Sequence, residues 1–227
     1  SHLIKIALLR RLTLAQVYQR LRAAHGPQYW WPADDGPFEV MVGAVLTQNT
    51  AWTNVERAIA NLRRARALSA RAILAAHPRR LAGWLKPSGY FNVKAKRLRA
   101  FCRWFLGQGG INALRAMPTP RLRAALLTVN GIGPETADDI LLYAFARPVF
   151  VIDAYTRRIF QRLGLIDGDE GYETLRALFE RGVRKNVARY NEYHALIVRH
   201  GKEVCRTRPR CSACCLAGGC PSKVAGL

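Results

Sequence analysis

Near its C-terminal end the chain reads Cys205-Arg-Thr-Arg-Pro-Arg-Cys211-Ser-Ala-Cys214-Cys215-Leu-Ala-Gly-Gly-Cys220, so five of its six cysteines fall within sixteen residues. No other feature narrows the fold as far. Thiolates this close along a chain can converge on one centre, and four of them can hold zinc or a [4Fe–4S] cluster. A disulfide framework suits small secreted chains, whereas 227 residues are enough to bury a core without staples. The expectation is a metal-held C-terminal segment on a helical body. Cys102 stands apart in an apolar stretch and is expected in the core. With Cys205, Cys211, Cys214 and Cys220 as ligands the gaps are five, two and five residues, with a single CxxC where a zinc site of paired knuckles would carry two. Spacing alone leaves Cys215 open as a replacement for Cys214.

Charge points to the partner. Lys and Arg number 36 against 15 Asp and Glu, a net charge of +21. Such an excess opposes self-association, so a monomer is expected, and it draws the chain to polyanions. Arg63, Arg64, Arg66, Lys94, Lys96, Arg97, Arg99, Arg181, Arg184 and Lys185 spread the basic surface along the sequence, with nucleic acid as the expected partner. No stretch is long and apolar enough for a membrane span. Residues 3–9 are too few for a signal peptide and lack a cleavage site, so a cytoplasmic chain is expected.

Apolar periodicity predicts helices over residues 14–24, 38–46, 53–68, 70–75, 92–106, 120–127, 135–146, 154–163, 171–179 and 187–200, separated by Gly, Pro and Asp breaks. Only residues 149–152 look strand-like, too few for a sheet. The fold class is all-α. One break carries chemistry of its own: Leu127-Thr-Val-Asn-Gly131-Ile-Gly133-Pro-Glu-Thr-Ala137 ends one helix and begins another. Gly131 and Gly133 permit a tight turn, Pro134 suits a first helical turn, and the freed N–H groups can bind a phosphate.

This hairpin, the following Val149-Phe-Val-Ile-Asp153-Ala-Tyr155 and the cysteine loop occur in an order that resembles the endonuclease III superfamily of helix–hairpin–helix DNA glycosylases. The first cysteine gap is one residue shorter than the family's usual. The resemblance implies a [4Fe–4S] cluster on Cys205, Cys211, Cys214 and Cys220, with zinc as the alternative. It implies a six-helix barrel over about residues 36–148, with the hairpin motif at about 127–146. An iron–sulfur domain would then be built from 1–35 and 149–227. It also makes Asp153 the catalytic carboxylate. Cleaving an N-glycosidic bond builds positive charge on the sugar, which a fixed carboxylate stabilises while orienting the attacking water.

Two departures refine the expectation. Members that also cut the strand carry a lysine two residues after the second hairpin glycine, where Glu135 stands here; a carboxylate cannot form a Schiff base. The segments Trp30-Trp31-Pro32, Phe38 to Thr50, Lys86-Pro-Ser-Gly-Tyr90-Phe-Asn-Val-Lys94-Ala-Lys96-Arg97 and Gly131 to Asp138 resemble the 3-methyladenine DNA glycosylases of this superfamily. A cationic alkylated purine is a good leaving group and gains about 1–2 kcal/mol against an aromatic wall. The implied reading is a monofunctional glycosylase for alkylated purines in double-stranded DNA. Trp30, Trp31 and Trp52 would line the base pocket, and Gln48 would fill the gap left by the extruded base. Tyr90 would wedge into the opposite strand, while Gly131, Gly133, Lys94 and Lys96 would contact DNA. The alternatives are an endonuclease III-type enzyme with lyase activity toward oxidised pyrimidines, using another of the seven lysines, and a non-catalytic damage-binding protein.

Overall fold

The computed structural model describes residues 11–30 and 36–223. Among these the regular structure is entirely helical, as the sequence predicts. The chain divides into two compact units, residues 31–147 and residues 1–30 with 148–227.

The first unit contains α2 (Pro37–Leu46), α3 (Trp52–Arg64), α4 (Ala70–Ala75), α5 (Pro78–Leu85), α6 (Phe91–Gly107), α7 (Gly110–Ala116), α8 (Thr119–Leu127) and α9 (Pro134–Asp139). Helix α2 is buried over all of Glu39 to Leu46, the signature of a central element with no solvent face. Its one charge, Glu39, receives both bonds from the Arg63 guanidinium at 2.7 Å. Against it, α3 turns Val55, Ala58, Ile59 and Leu62 inward at helical spacing. Helix α6 buries Leu98, Phe101, Cys102 and Phe105, so Cys102 is a core residue. Helix α9 widens into a π-helical turn at Ile140–Ala144, which the periodicity had joined to it as regular helix. Helices α5 and α7 are not among the helices that the apolar periodicity predicts. Proline opens α5, and left-handed glycines, Gly109 at φ 88° and Gly110 at φ 76°, open α7.

The second unit contains α1 (Leu14–His25), α10 (Ala154–Arg162), α11 (Tyr172–Gly182), α12 (Val187–Glu203) and the cysteine tail. Helix α1 starts on a reciprocal cap, Thr13 accepting from Gln16 N–H and the Gln16 side chain accepting from Thr13 N–H. The core is aromatic: Phe150 stacks on Phe179 at 4.7 Å, Phe160 meets Phe179 edge-on at 4.7 Å, and Tyr190 and Tyr193 close around Phe150. Residues 149–152 are buried and outside any helix, and among the described residues no strand pairs with them. Side chains satisfy this run instead: Phe150 N–H donates to Glu180 and Ile152 N–H to the Tyr172 hydroxyl. This buried run delivers Asp153 to the start of α10.

Candidate functional site

Asp153 is the N-cap of α10 and is almost wholly buried. One carboxylate oxygen, Oδ1, accepts from the Thr156 N–H and from the Thr156 hydroxyl, each at 2.7 Å. The other, Oδ2, lies 3.5 Å from His194 Nε2 on α12. Burial pushes the acid upward, but the His194 and Thr156 bonds outweigh it, and its pKa falls below the ordinary carboxylate value. The group is thus a charged carboxylate in a dry setting, aligned by the α10 N-terminus. Trp30 lies against His194 with ring centroids 5.9 Å apart. Sequence reasoning missed His194 and Thr156. Thr156 was available as the third residue after an N-cap, whereas nothing local marks His194 as a partner of a residue 41 positions away.

In the other unit, α8, the 128–133 turn and α9 form the helix–hairpin–helix. Gly131 adopts φ 88°, and a Cβ there would run into the Arg97 side chain. Gly133 is extended, with open space where a Cβ would stand. Gln48 is tied to this turn: its amide nitrogen donates to the Gly131 carbonyl at 2.8 Å and to the Thr136 hydroxyl at 3.1 Å. Arg97 donates to the Gln48 amide oxygen. Gly131, Gln48 and Arg97 therefore close a ring of contacts. Glu135 is exposed in the first turn of α9.

Tyr90 is 72% exposed and left-handed at φ 44°, an unfavourable conformation for a non-glycine residue. Asn49, beside Gln48, is left-handed too at φ 54°. Strain of this kind persists only where surrounding structure enforces it. Lys96 is exposed. Lys94 is not, which corrects its expected role as a DNA contact. It lies on the buried face of α6, 1% exposed, and its ammonium donates to the Leu46 carbonyl at 2.9 Å and the Ser88 carbonyl at 2.6 Å. Burial, then Arg97, brings its pKa down to about 8. Lys94 thereby joins the backbone two residues before Gln48 to the backbone two residues before Tyr90. Of the expected aromatic residues, Trp30 lies in the unit of Asp153, Trp52 is half-buried at the start of α3 in the other, and Trp31 lies outside the described residues.

Cys205, Cys211, Cys214 and Cys220 line one small cavity, and none is in a disulfide. Cys215 does not line it. Arg162 holds the loop, donating to Cys205 Sγ at 3.4 Å and to the carbonyls of Arg206 and Thr207, while its own carbonyl accepts from Cys220. His200 reaches the same loop twice. Its carbonyl accepts from Cys205 N–H at 2.8 Å, and its Nε2 lies 3.4 Å from Cys214 Sγ. Burial above all raises the Cys214 thiol to about 11 and raises Cys220. Four thiols converging on one cavity beside an arginine fit a centre whose positive charge keeps sulfur deprotonated. Arg206, Arg208 and Arg210 stay exposed on the loop.

Residues 42–185 match the family model described as the HhH-GPD superfamily base excision DNA repair protein. A provisionally assigned DNA repair glycosylase of Methanocaldococcus jannaschii is 44% identical, over 92% of this chain and 96% of that protein. Endonuclease III of Escherichia coli is 26% identical over 82% of this chain and 84% of its own length. Among solved structures, Helicobacter pylori 3-methyladenine DNA glycosylase bound to 1,N6-ethenoadenine is 30% identical, with a TM-score of 0.74, over 85% of this chain and 98% of that one. An endonuclease III–DNA complex, at 19% identity and a TM-score of 0.81 over 93% of this chain and 97% of that one, shares the fold.

Proposed function

Because the chain belongs to the HhH-GPD superfamily of base excision DNA repair proteins, we propose that it is a monofunctional DNA glycosylase. It hydrolyses the N-glycosidic bond of alkylated purines in duplex DNA, acting as a monomer. The observation that carries this reading is Asp153, a buried carboxylate kept charged by Thr156 and His194. As the base departs, that charge stabilises the cationic sugar and orients the attacking water. His194 positions the second carboxylate oxygen. Base release leaves the strand uncut, since Glu135 stands where strand-cutting relatives carry their amine. The 30% identity with a 3-methyladenine DNA glycosylase supports the substrate class.

The hairpin glycines meet DNA phosphate, Lys96 adds charge at the same unit, and Gln48 and Tyr90 act where the helix is opened. Trp30, Trp31 and Trp52 are the aromatic candidates for the extruded base. A [4Fe–4S] cluster on Cys205, Cys211, Cys214 and Cys220 organises the tail and supplies no step of base removal; zinc is the alternative occupant. Base release from duplexes bearing a panel of lesions tests the reading. Release of 3-methyladenine without strand cleavage is expected, whereas activity confined to oxidised pyrimidines overturns it.

A further inference from the structure

The four-cysteine cavity leaves one thiol of the tail unused. Cys215 faces two imidazoles instead, and His25, His200 and Cys215 each offer a ligand atom within 4.8 Å of the other two. His25 closes α1 and His200 sits in the last turn of α12, so the three residues come from three separate parts of the unit. His25 Nε2 and His200 Nδ1 are 3.0 Å apart. In a tetrahedral zinc site two such nitrogens stand roughly 3.3 Å apart and a nitrogen and a sulfur about 3.6 Å. The imidazoles are therefore a few tenths of an ångström from coordinating distance, and the thiol has no more than about an ångström to close.

We propose that His25, His200 and Cys215 form a second, mononuclear metal site, for a cation of the zinc class, that clasps α1 and α12 to the cysteine tail. Mixed nitrogen and sulfur donors select such a borderline cation over magnesium or calcium. Three protein ligands leave the fourth position to water. On binding, Cys215 releases its thiol proton to solvent, the proton between the two facing nitrogens moves through solvent to the far nitrogen of its own imidazole, and the two freed lone pairs make coordinate bonds. His200 is already arranged as metal-bound histidines are, with its far nitrogen, Nε2, 3.4 Å from an acceptor, Cys214 Sγ. Burial above all raises the Cys215 thiol, with Arg20 partly offsetting it, and burial, then Arg199, lowers His25, which keeps that imidazole neutral and able to ligate. This site does not depend on which base the protein removes.

The test uses the full chain with its cysteine centre loaded with iron, equilibrated with zinc and then gel-filtered. Elemental analysis is expected to find one equivalent of zinc beyond the iron. His25→Gln and Cys215→Ser should each lose that zinc while keeping the iron and its visible absorbance. Cobalt in place of zinc should give a thiolate charge-transfer band that Cys215→Ser abolishes. A loaded protein that retains no zinc, or a Cys215→Ser variant that loses iron and keeps zinc, overturns the proposal.

Discussion

His194 Nε2 on α12 stands 3.5 Å from Asp153 Oδ2 at the start of α10, while Thr156 occupies the opposite carboxylate oxygen. The two oxygens thus have separate duties: one caps a helix and the other meets a side chain that can hold it in place. This division makes the carboxylate's chemistry separable from its structural part.

Asp153→Asn is the cleanest separation, because asparagine caps a helix about as well as aspartate. Thermal stability should change little, while single-turnover base release should fall on the order of 10²–10³-fold. A folded variant that keeps its activity would remove Asp153 from the chemistry.

The hairpin glycines should behave differently from one another. Gly131→Ala forces a side chain into φ 88° and into Arg97, costing about 1–2 kcal/mol in thermal unfolding. Gly133→Ala meets open space and should leave stability within about 0.5 kcal/mol. Its loss should be seen in affinity for duplex DNA, measured by fluorescence anisotropy at fixed salt.

Lys94 predicts a pH signature. Its folded pKa of about 8 lies below the ordinary lysine value, so the unfolded chain binds the extra proton between about pH 8 and pH 10. Across that window its contribution should make stability rise with pH. Lys94→Met should remove this rise and, by stranding two buried carbonyls, lower stability near neutrality by about 1–3 kcal/mol. Thermal midpoints of both proteins across the window decide it.

Borohydride should trap no covalent complex between the wild-type protein and DNA, since Glu135 offers no amine. Glu135→Lys should restore a trapped adduct visible on a denaturing gel. An adduct in the wild type would favour the strand-cutting alternative and another lysine.

Much of the architecture was legible because its signals are local. The hairpin glycines, the N-cap at Asp153 and the apolar stripe of α3 each sit within a dozen residues of what they specify. The proposed site was legible only in part. Lys94 had been counted with Lys96 as surface charge, yet it shares a helix face with Leu98, Phe101 and Phe105, and that phase was readable. His194 was not readable, since its partner is far away in sequence and a lone histidine on a buried helix face has many ordinary reasons to be there. Residues 149–152 had strand composition, but whether side chains or a neighbouring strand satisfy their amides depends on tertiary contacts.

Helix α12 carries both His194 and, less than two turns later, His200. The first faces the Asp153 carboxylate and the second grips the cysteine loop by backbone and ring alike. One short stretch of helix thus links the cysteine loop to the carboxylate. In the glycosylase proposed above, any loosening of the cysteine loop would be carried along this helix to the residue that faces Asp153.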